Sequence, residues 1–470
     1  MKKQLISNKY CFLLLILCIA CCKFLSAAPL PTTVFGRVCN YDTRSVALYE
    51  VKNGALVRLG FRWLKEDGGF KFEFPLEKEA IFFIAKSSAH PGNFKNVIYI
   101  KPGDKMQLRL YSNNISLDYD SCKIKFENQE TKLLQQWVNW FNTTCKDGPM
   151  AVKRNDFFSA YAELQSTVAA FKKSARTSNS YFNTLFKEKI DVDMDFARAA
   201  AFFYFNDRMN SGYDTVKSHR GFYLPLVKEG KYDDALLLNT DHGMALLKYY
   251  TSLNRFFKTG DTKDALLTDI SMVGNDTLKG AMVIDYMYGV VSYEAFEKEI
   301  VPFEKYFFQA EMKQAYEKKK EELLPFSRGT QAYNFSLRDR NSKMVSLSDF
   351  KGKVVVLDMW AMWCAPCLKE KPYFRKTEED FKNNKKIVFV SISVDGNVKK
   401  DAWRAFIVKK GWNGIELLSE YDQSLMKYYH IEGIPRFMIF DKEGKIVSVD
   451  APRPSADGFR TLIEQTLKGN

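Results

Sequence analysis

The spacing of apolar residues changes twice along the chain. From about residue 32 to 126 they fall in short runs rich in β-branched and aromatic side chains: Val34–Cys39, Ser45–Lys52, Leu56–Leu64, Gly69–Pro75, Ala80–Ala85, Asn96–Ile100, Met106–Leu110 and Lys123–Phe126. Gly-Gly, Pro-Gly and Asn-Asn pairs punctuate them, residues that tight turns tolerate. This pattern predicts a small all-β domain over 32–126, an antiparallel sandwich or barrel. Near Thr131 the run KLLQQWVNWF switches to helical spacing, and helical periodicity continues to about Leu324. Gly and polar breaks near 148, 212, 229 and 260 divide this central α-helical region, 131–324. Its aromatic stripes fit core packing better than a peptide groove. Neither a fixed-period repeat nor a catalytic constellation stands out in it.

Pro325-Phe326-Ser327-Arg328-Gly329 reads as a linker, and the pattern then becomes mixed. Phe335–Arg338 and Met344–Leu347 predict a hairpin. Lys353–Met359 and Lys386–Val394 are continuous apolar runs fit for buried central strands. Helices are expected at 364–383 and 398–410, with a helical turn near 422–429. The strands Arg436–Asp441 and Lys445–Asp450 and a last helix at 455–468 complete a layered α/β sandwich over 330–470. The expected fold is therefore multidomain: β, then α, then α/β. A length of 470 residues agrees, being too great for one hydrophobic core.

The first residues read as an address. Lys2, Lys3 and Lys9 precede the apolar run Cys11–Cys22, whose 12 residues are too few to span a bilayer and suit a secretory signal. Cleavage after Ala27 would leave a mature chain beginning at Ala28. Alternatively Ile19-Ala20-Cys21 acts as a lipobox, with Cys21 carrying a lipid anchor, or the segment remains as an uncleaved anchor. Each places the folded part outside the inner membrane, in the periplasm or cell envelope. The net charge is +14, and +10 without the four lysines of 1–27. Because the basic residues are dispersed among acidic ones, as in EKKKEE at 317–322, a solvated surface is expected rather than nucleic-acid binding.

Beyond the signal the cysteines are Cys39, Cys122, Cys145, Cys364 and Cys367. Cys39 and Cys122 lie near opposite ends of the β region and are expected to bridge. Cys364-Ala365-Pro366-Cys367 carries the chemistry. A C-x-x-C alone is also half a zinc site. No second such pair exists, and His90, His219, His242 and His430 form no spaced pair, so no metal or other cofactor is expected. The motif follows a buried strand and opens a helix, where unpaired N–H groups and the macrodipole favour a thiolate. Cys364 is expected to be the exposed nucleophile. Cys367, one turn deeper, is expected to be the shielded resolving thiol. Trp363 limits access, Pro366 stiffens the first turn, and Pro372 kinks the helix.

Residues 330–470 resemble thioredoxin, in its envelope-facing TlpA/ResA-like branch. The resemblance rests on FSLRDRNSKMVSLSDFKGKVVVLDMWAMWCAPC, CLKEKP and HIEGIPRFMIFDKEGKIV. It implies the thioredoxin fold and thiol-disulfide oxidoreductase activity on protein or peptide disulfides, fed by a membrane thiol electron donor. It makes Ile434-Pro435 the cis-proline loop that pairs with substrate beside Trp363, Ala365 and Pro366. Asp358 matches the buried Asp that accepts the resolving thiol's proton; an inert strand-end carboxylate is the plainer alternative. Glu370 matches a glutamate that tunes the thiols, or is simply a surface residue of the helix. Ser391 stands where thioredoxin has a lysine near that Asp, and Ala-Pro replaces Gly-Pro between the cysteines. The resemblance favours a reductant. The β and helical regions look like extensions carried by some envelope TlpA-like proteins. Two other functions remain: a thiol peroxidase, although Ala361 stands where the peroxiredoxin motif has Thr, and a non-catalytic binding module with a vestigial thioredoxin domain.

Overall fold

The computed structural model describes residues 30–39, 45–86, 96–111, 121–124, 128–146, 154–207, 219–259, 266–396, 399–419 and 424–469. The signal segment, with Cys21, lies outside them, as does His90. The chain divides into two compact units, Met1–Leu278 and Lys279–Asn470, so the division falls inside the helical region. Among the described residues no helix is long and apolar enough to cross a membrane.

The first unit begins with eight strands: β1 (Leu30–Cys39), β2 (Ser45–Lys52), β3 (Ala55–Trp63), β4 (Gly69–Leu76), β5 (Ala80–Lys86), β6 (Val97–Ile100), β7 (Lys105–Tyr111) and β8 (Ser121–Ile124). They form two four-stranded sheets, ordered β4-β1-β7-β8 and β3-β2-β5-β6. Val34, Phe72, Leu108 and Leu110 from one sheet meet Val46, Leu48, Phe82 and Ile98 from the other in a shared core. The sandwich expectation is met and the barrel is not, since neither sheet closes. The expected antiparallel pairing also needs correction, because β1 pairs with β7 in parallel. A parallel pair needs a long crossover, and the chain from β2 to β6, which includes every strand of the second sheet, supplies it. The β2–β3 turn has positive φ at both Asn53 (51°) and Gly54 (74°), as a two-residue hairpin requires.

β2 and β5 are buried on both faces because their second face meets helices. Ala47, Tyr49, Phe83 and Tyr99 pack against Trp137 and Phe141 of α1 (Gln129–Phe141), Tyr161 of α2 (Arg154–Ser174) and Phe182 and Phe186 of α3 (Ser180–Asp207). The aromatic stripes are thus core, as expected. α4 (Gly243–Thr259) and α5 (Asp276–Met287) follow. Within the helical region, the stretch 293–324 is not continuous: it divides into α6 (Tyr293–Glu299), a 3₁₀ turn over Val301–Tyr306 and α7 (Ala310–Leu323). Pro302, lacking an N–H, sits at the break.

The expected disulfide between Cys39 and Cys122 is also corrected, because neither residue forms one. Cys39 lies beside Tyr111 of β7, while Cys122 lies beside Leu110 on the other flank of β7. One strand between them means a separation of about two strand spacings, ~9.6 Å. A disulfide tolerates at most about 7 Å between Cα atoms.

The second unit centres on a seven-stranded sheet ordered β10-β9-β13-β12-β11-β14-β15. Its strands are β9 (Ser336–Asp339), β10 (Met344–Ser346), β11 (Val354–Trp360), β12 (Ile387–Ser393), β13 (Ile415–Leu418), β14 (Arg436–Phe440) and β15 (Ile446–Ser448). The central trio β11, β12 and β13 is parallel, and β14 runs antiparallel to β11. α8 (Ala365–Asp380) and α10 (Asp457–Lys468) cover one face through Phe374, Phe459 and Ile463. α9 (Lys400–Lys409) brings Trp403 and Ile407 to the end of the sheet that holds the cysteines. β13 escaped the sequence, being four residues with no alternation. The supposed linker is structural: Phe326 is buried in the sheet's other core with Phe335, Leu357 and Met438.

Candidate active site

Every residue of β11 is buried, so its side chains alternate between two covered faces. Val354, Val356 and Asp358 share one parity; Val354 and Val356 pack beneath α8 and α10. The strand then ends and α8 begins, with Cys364 as its N-cap and Pro366 in the first turn, where a missing N–H costs nothing. Cys364 and Cys367 form a disulfide. The Cys367 N–H points at Cys364 Sγ, 3.2 Å away, which is the helix-terminal donor that would stabilise a thiolate there. Cys364 Sγ also lies 3.8 Å from the Ile434 carbonyl oxygen, next to the cis Ile434–Pro435 bond. Met362, in the loop before Cys364, donates its N–H to buried Asp395 (2.9 Å), tying that loop to the end of β12.

The expected exposure of Cys364 is corrected: it is 4% exposed, with Cys367 at 2%. Both sulfurs sit in a cluster with Trp360, Ala361 and Trp403. The accessible surface is instead Trp363, 64% exposed, with Ala365 and Pro366 also exposed. Ile434 and Pro435 are half-buried across from them. Glu370 is not a surface residue: it is buried, and both carboxylate oxygens accept from Ser455, one from the backbone N–H and one from the hydroxyl.

Asp358 is buried and pairs in register with Ser391 of β12. A lysine does face it, though from α8 rather than from the sheet. Lys371 Nζ lies 2.5 Å from Asp358 Oδ2 and donates to Ser391 Oγ at 2.8 Å. Its ammonium also faces Trp360 (4.5 Å), Trp412 (4.9 Å) and Phe374 (5.7 Å). Burial pulls Lys371 down to about 8, against the attraction of Asp358. Arg375, one turn on, bonds Glu378 and Glu416 and extends the charged layer. A cleft of about 930 Å³, lined in part by Lys371, Arg375 and Trp412, opens beside it.

Lys371 was missed although its position was legible. It is four residues beyond Cys367, on the buried stripe of Cys367, Glu370, Phe374 and Thr377. A lysine on such a stripe must find a counter-ion. This arrangement can hold two sulfurs in thiol or disulfide form beside an anion-favouring helix end. It also keeps a carboxylate and an ammonium in contact, the ammonium borne one helical turn beyond Cys367.

Residues 328–449 match the AhpC/TSA family. The thiol-disulfide oxidoreductase ResA of Bacillus subtilis is 35% identical over 123 residues, 26% of this chain and 66% of that protein. The chain thus spans just under two thirds of that relative. Thioredoxin-like protein YneN of the same organism is 31% identical over 147 residues, 29% of this chain and 76% of that protein. Among solved structures, the thioredoxin domain of a thiol-disulfide oxidoreductase from Bacteroides vulgatus is 30% identical; the match covers 30% of this chain and 98% of that one, with a TM-score of 0.27.

Proposed function

The chain belongs to the thioredoxin-like thiol-disulfide oxidoreductases through its C-terminal region, and from that premise we propose that it reduces disulfides in protein or peptide substrates outside the cytoplasm. The observation that carries this is the Cys364–Cys367 disulfide at the start of α8, with the Cys367 N–H aimed at Cys364 Sγ. In the reduced protein, the Cys364 thiolate attacks one sulfur of the substrate disulfide. A Cys364–substrate bond forms, and the other substrate sulfur leaves as a thiolate that takes a proton. Cys367 then passes its proton to Asp358 and attacks Cys364 Sγ. The enzyme disulfide re-forms, the second substrate sulfur leaves as a thiolate and takes up a proton as Asp358 releases its own, and two electrons have moved to the substrate. A dithiol donor, membrane-borne in this proposal, returns the enzyme to its reduced form.

Trp363, Ala365, Pro366 and the Ile434-Pro435 segment form the surface against which the substrate chain lies, supported by the exposure of the first three and by the half-buried position of Ile434 and Pro435 beside the buried sulfurs. Glu370 acts on this site only by fixing the Ser455 loop to α8. Export rests on the basic and apolar residues of 1–27. The AhpC/TSA match gives peroxidase activity its support, but buried Ala361 offers no hydroxyl to polarise a peroxide. The decisive test is Cys367→Ser in the native envelope. It should accumulate mixed disulfides with protein partners, Cys364→Ser should trap nothing, and wild type should reduce insulin faster than it consumes peroxide. Trapping by Cys364→Ser in place of Cys367→Ser would reverse the two roles.

A further inference from the structure

Between α2 and α3 of the first unit lies a cleft of about 500 Å³, a volume ordinary for small-molecule sites. Three cations line it, and two are already spent. Lys172 pairs with Asp191, and Lys231 lies 2.6 Å from Asp195, which also accepts from the Tyr232 hydroxyl at 2.9 Å. The third is Arg198, only 8% exposed. Among the described residues no carboxylate lies within ion-pair distance of it, and its Nε is buried without a hydrogen-bond partner.

The guanidinium sits in the corner of two rings, 4.9 Å from Tyr161 and 5.0 Å from Phe222. Ring faces attract its charge but do not serve as carboxylate-like acceptors for its in-plane N–H groups. The Tyr161 hydroxyl donates to the Met194 carbonyl at 2.7 Å, and its oxygen is a neutral acceptor for the guanidinium that leaves the charge without a counter-ion. A buried cation with an unpartnered Nε–H, lining a cleft, is matched by a carboxylate, which supplies both the opposite charge and an acceptor for that N–H. The remaining lining acid, Glu188, is pushed up by burial and by Asp191, Asp234 and Asp195, so it sheds its charge more readily than an ordinary glutamate. Val168, Met194 and Tyr232 supply apolar wall.

We propose that this cleft binds a small amphiphilic monocarboxylate, its carboxylate held by Arg198 and its apolar part lying against Val168, Met194 and Tyr232. The site is independent of the redox centre and does not rest on the function proposed above.

Isothermal titration of the exported chain with 4-phenylbutyrate and with its neutral amide tests this. The acid should bind with one-to-one stoichiometry and the amide at least about tenfold more weakly, since the charge-assisted pair is lost. Arg198→Met should weaken the acid by a similar factor, and Arg198→Lys should recover part of it. Ala169→Trp, on an exposed position of the cleft wall, should block binding while leaving insulin reduction unchanged; it serves as the test should Arg198→Met fail to fold. Equal binding of acid and amide, undiminished binding to Arg198→Met or Ala169→Trp, or no saturable binding to wild type would each overturn the proposal.

Discussion

Lys371→Met separates the charge of the buried ammonium from its bulk, because methionine is also long and unbranched and can fill much of the same space. Wild type holds Lys371 Nζ 2.5 Å from Asp358 Oδ2, within a layer whose other charged or polar members are Arg375 and Glu378 on α8, Ser391 on β12 and Glu416 on β13. After substitution Asp358 keeps only Ser391 as a near donor, at 3.4 Å. Below about pH 8 the wild-type ammonium offsets the buried Asp358 charge, and the substitution removes it. The carboxylate proposed to accept the Cys367 proton is then left without its cation. Stopped-flow release of the mixed disulfide across pH 5.5–10 should show the resolving step slowed by about tenfold or more below pH 8, with the first attack by Cys364 almost unchanged. Breaking a buried pair also costs about 3–5 kcal/mol of stability, and Asp358→Asn/Lys371→Met should regain much of it because no lone charge is left. A Lys371→Met profile that superimposes on wild type in a protein shown folded by circular dichroism would refute the coupling of Lys371 to the thiol chemistry.

Three further outcomes are expected. Burial holds Lys371 at about 8 against its ordinary 10.5, so from pH 8 to 10.5 the unfolded chain retains a proton that the folded chain has lost. Stability should therefore gain up to about 3 kcal/mol from this group as pH rises through that window, a gain absent from urea titrations of Lys371→Met. Asp193 is held at about 2 against 3.8, since Lys189, His242 and the Trp137 N–H together outweigh the upward push of burial. Its contribution is present above about pH 4 and lost as pH falls through 2, so the stability gap between wild type and Asp193→Asn should narrow by about 2 kcal/mol over that range. Peptide mapping of oxidised protein under non-reducing conditions should find Cys364 linked to Cys367 and both Cys39 and Cys122 alkylated as thiols; a Cys39–Cys122 peptide would contradict the intervening position of β7.

Local patterning determined most of the elements. Ser45–Lys52 is a strand with the expected ends, and Val34–Cys39, Met106–Leu110 and 364–383 fall within a few residues of β1, β7 and α8. These segments declare themselves because alternation, helical spacing and turn residues are properties of neighbouring positions. The redox pair was legible for the same reason: two cysteines, a proline and a helix start lie within a few residues of one another.

Tertiary structure alone decided which strands meet. The parallel β1–β7 pair joins residues separated by an entire sheet, and that pairing places β7 between Cys39 and Cys122. No local pattern encodes a neighbour reached through a crossover of that length. The depth of Cys364 likewise depends on Trp403 from α9 and on the Ile434 segment, not on its own flanks. Ser391 read as the loss of a lysine only while the sheet was considered by itself. The lysine comes from α8, whose 3.6-residue turn sets Lys371 on the same face as Cys367 and whose packing across β11 brings it to Asp358. Sequence fixes which residues share a face; the angle and depth at which two faces meet depend on every side chain between them.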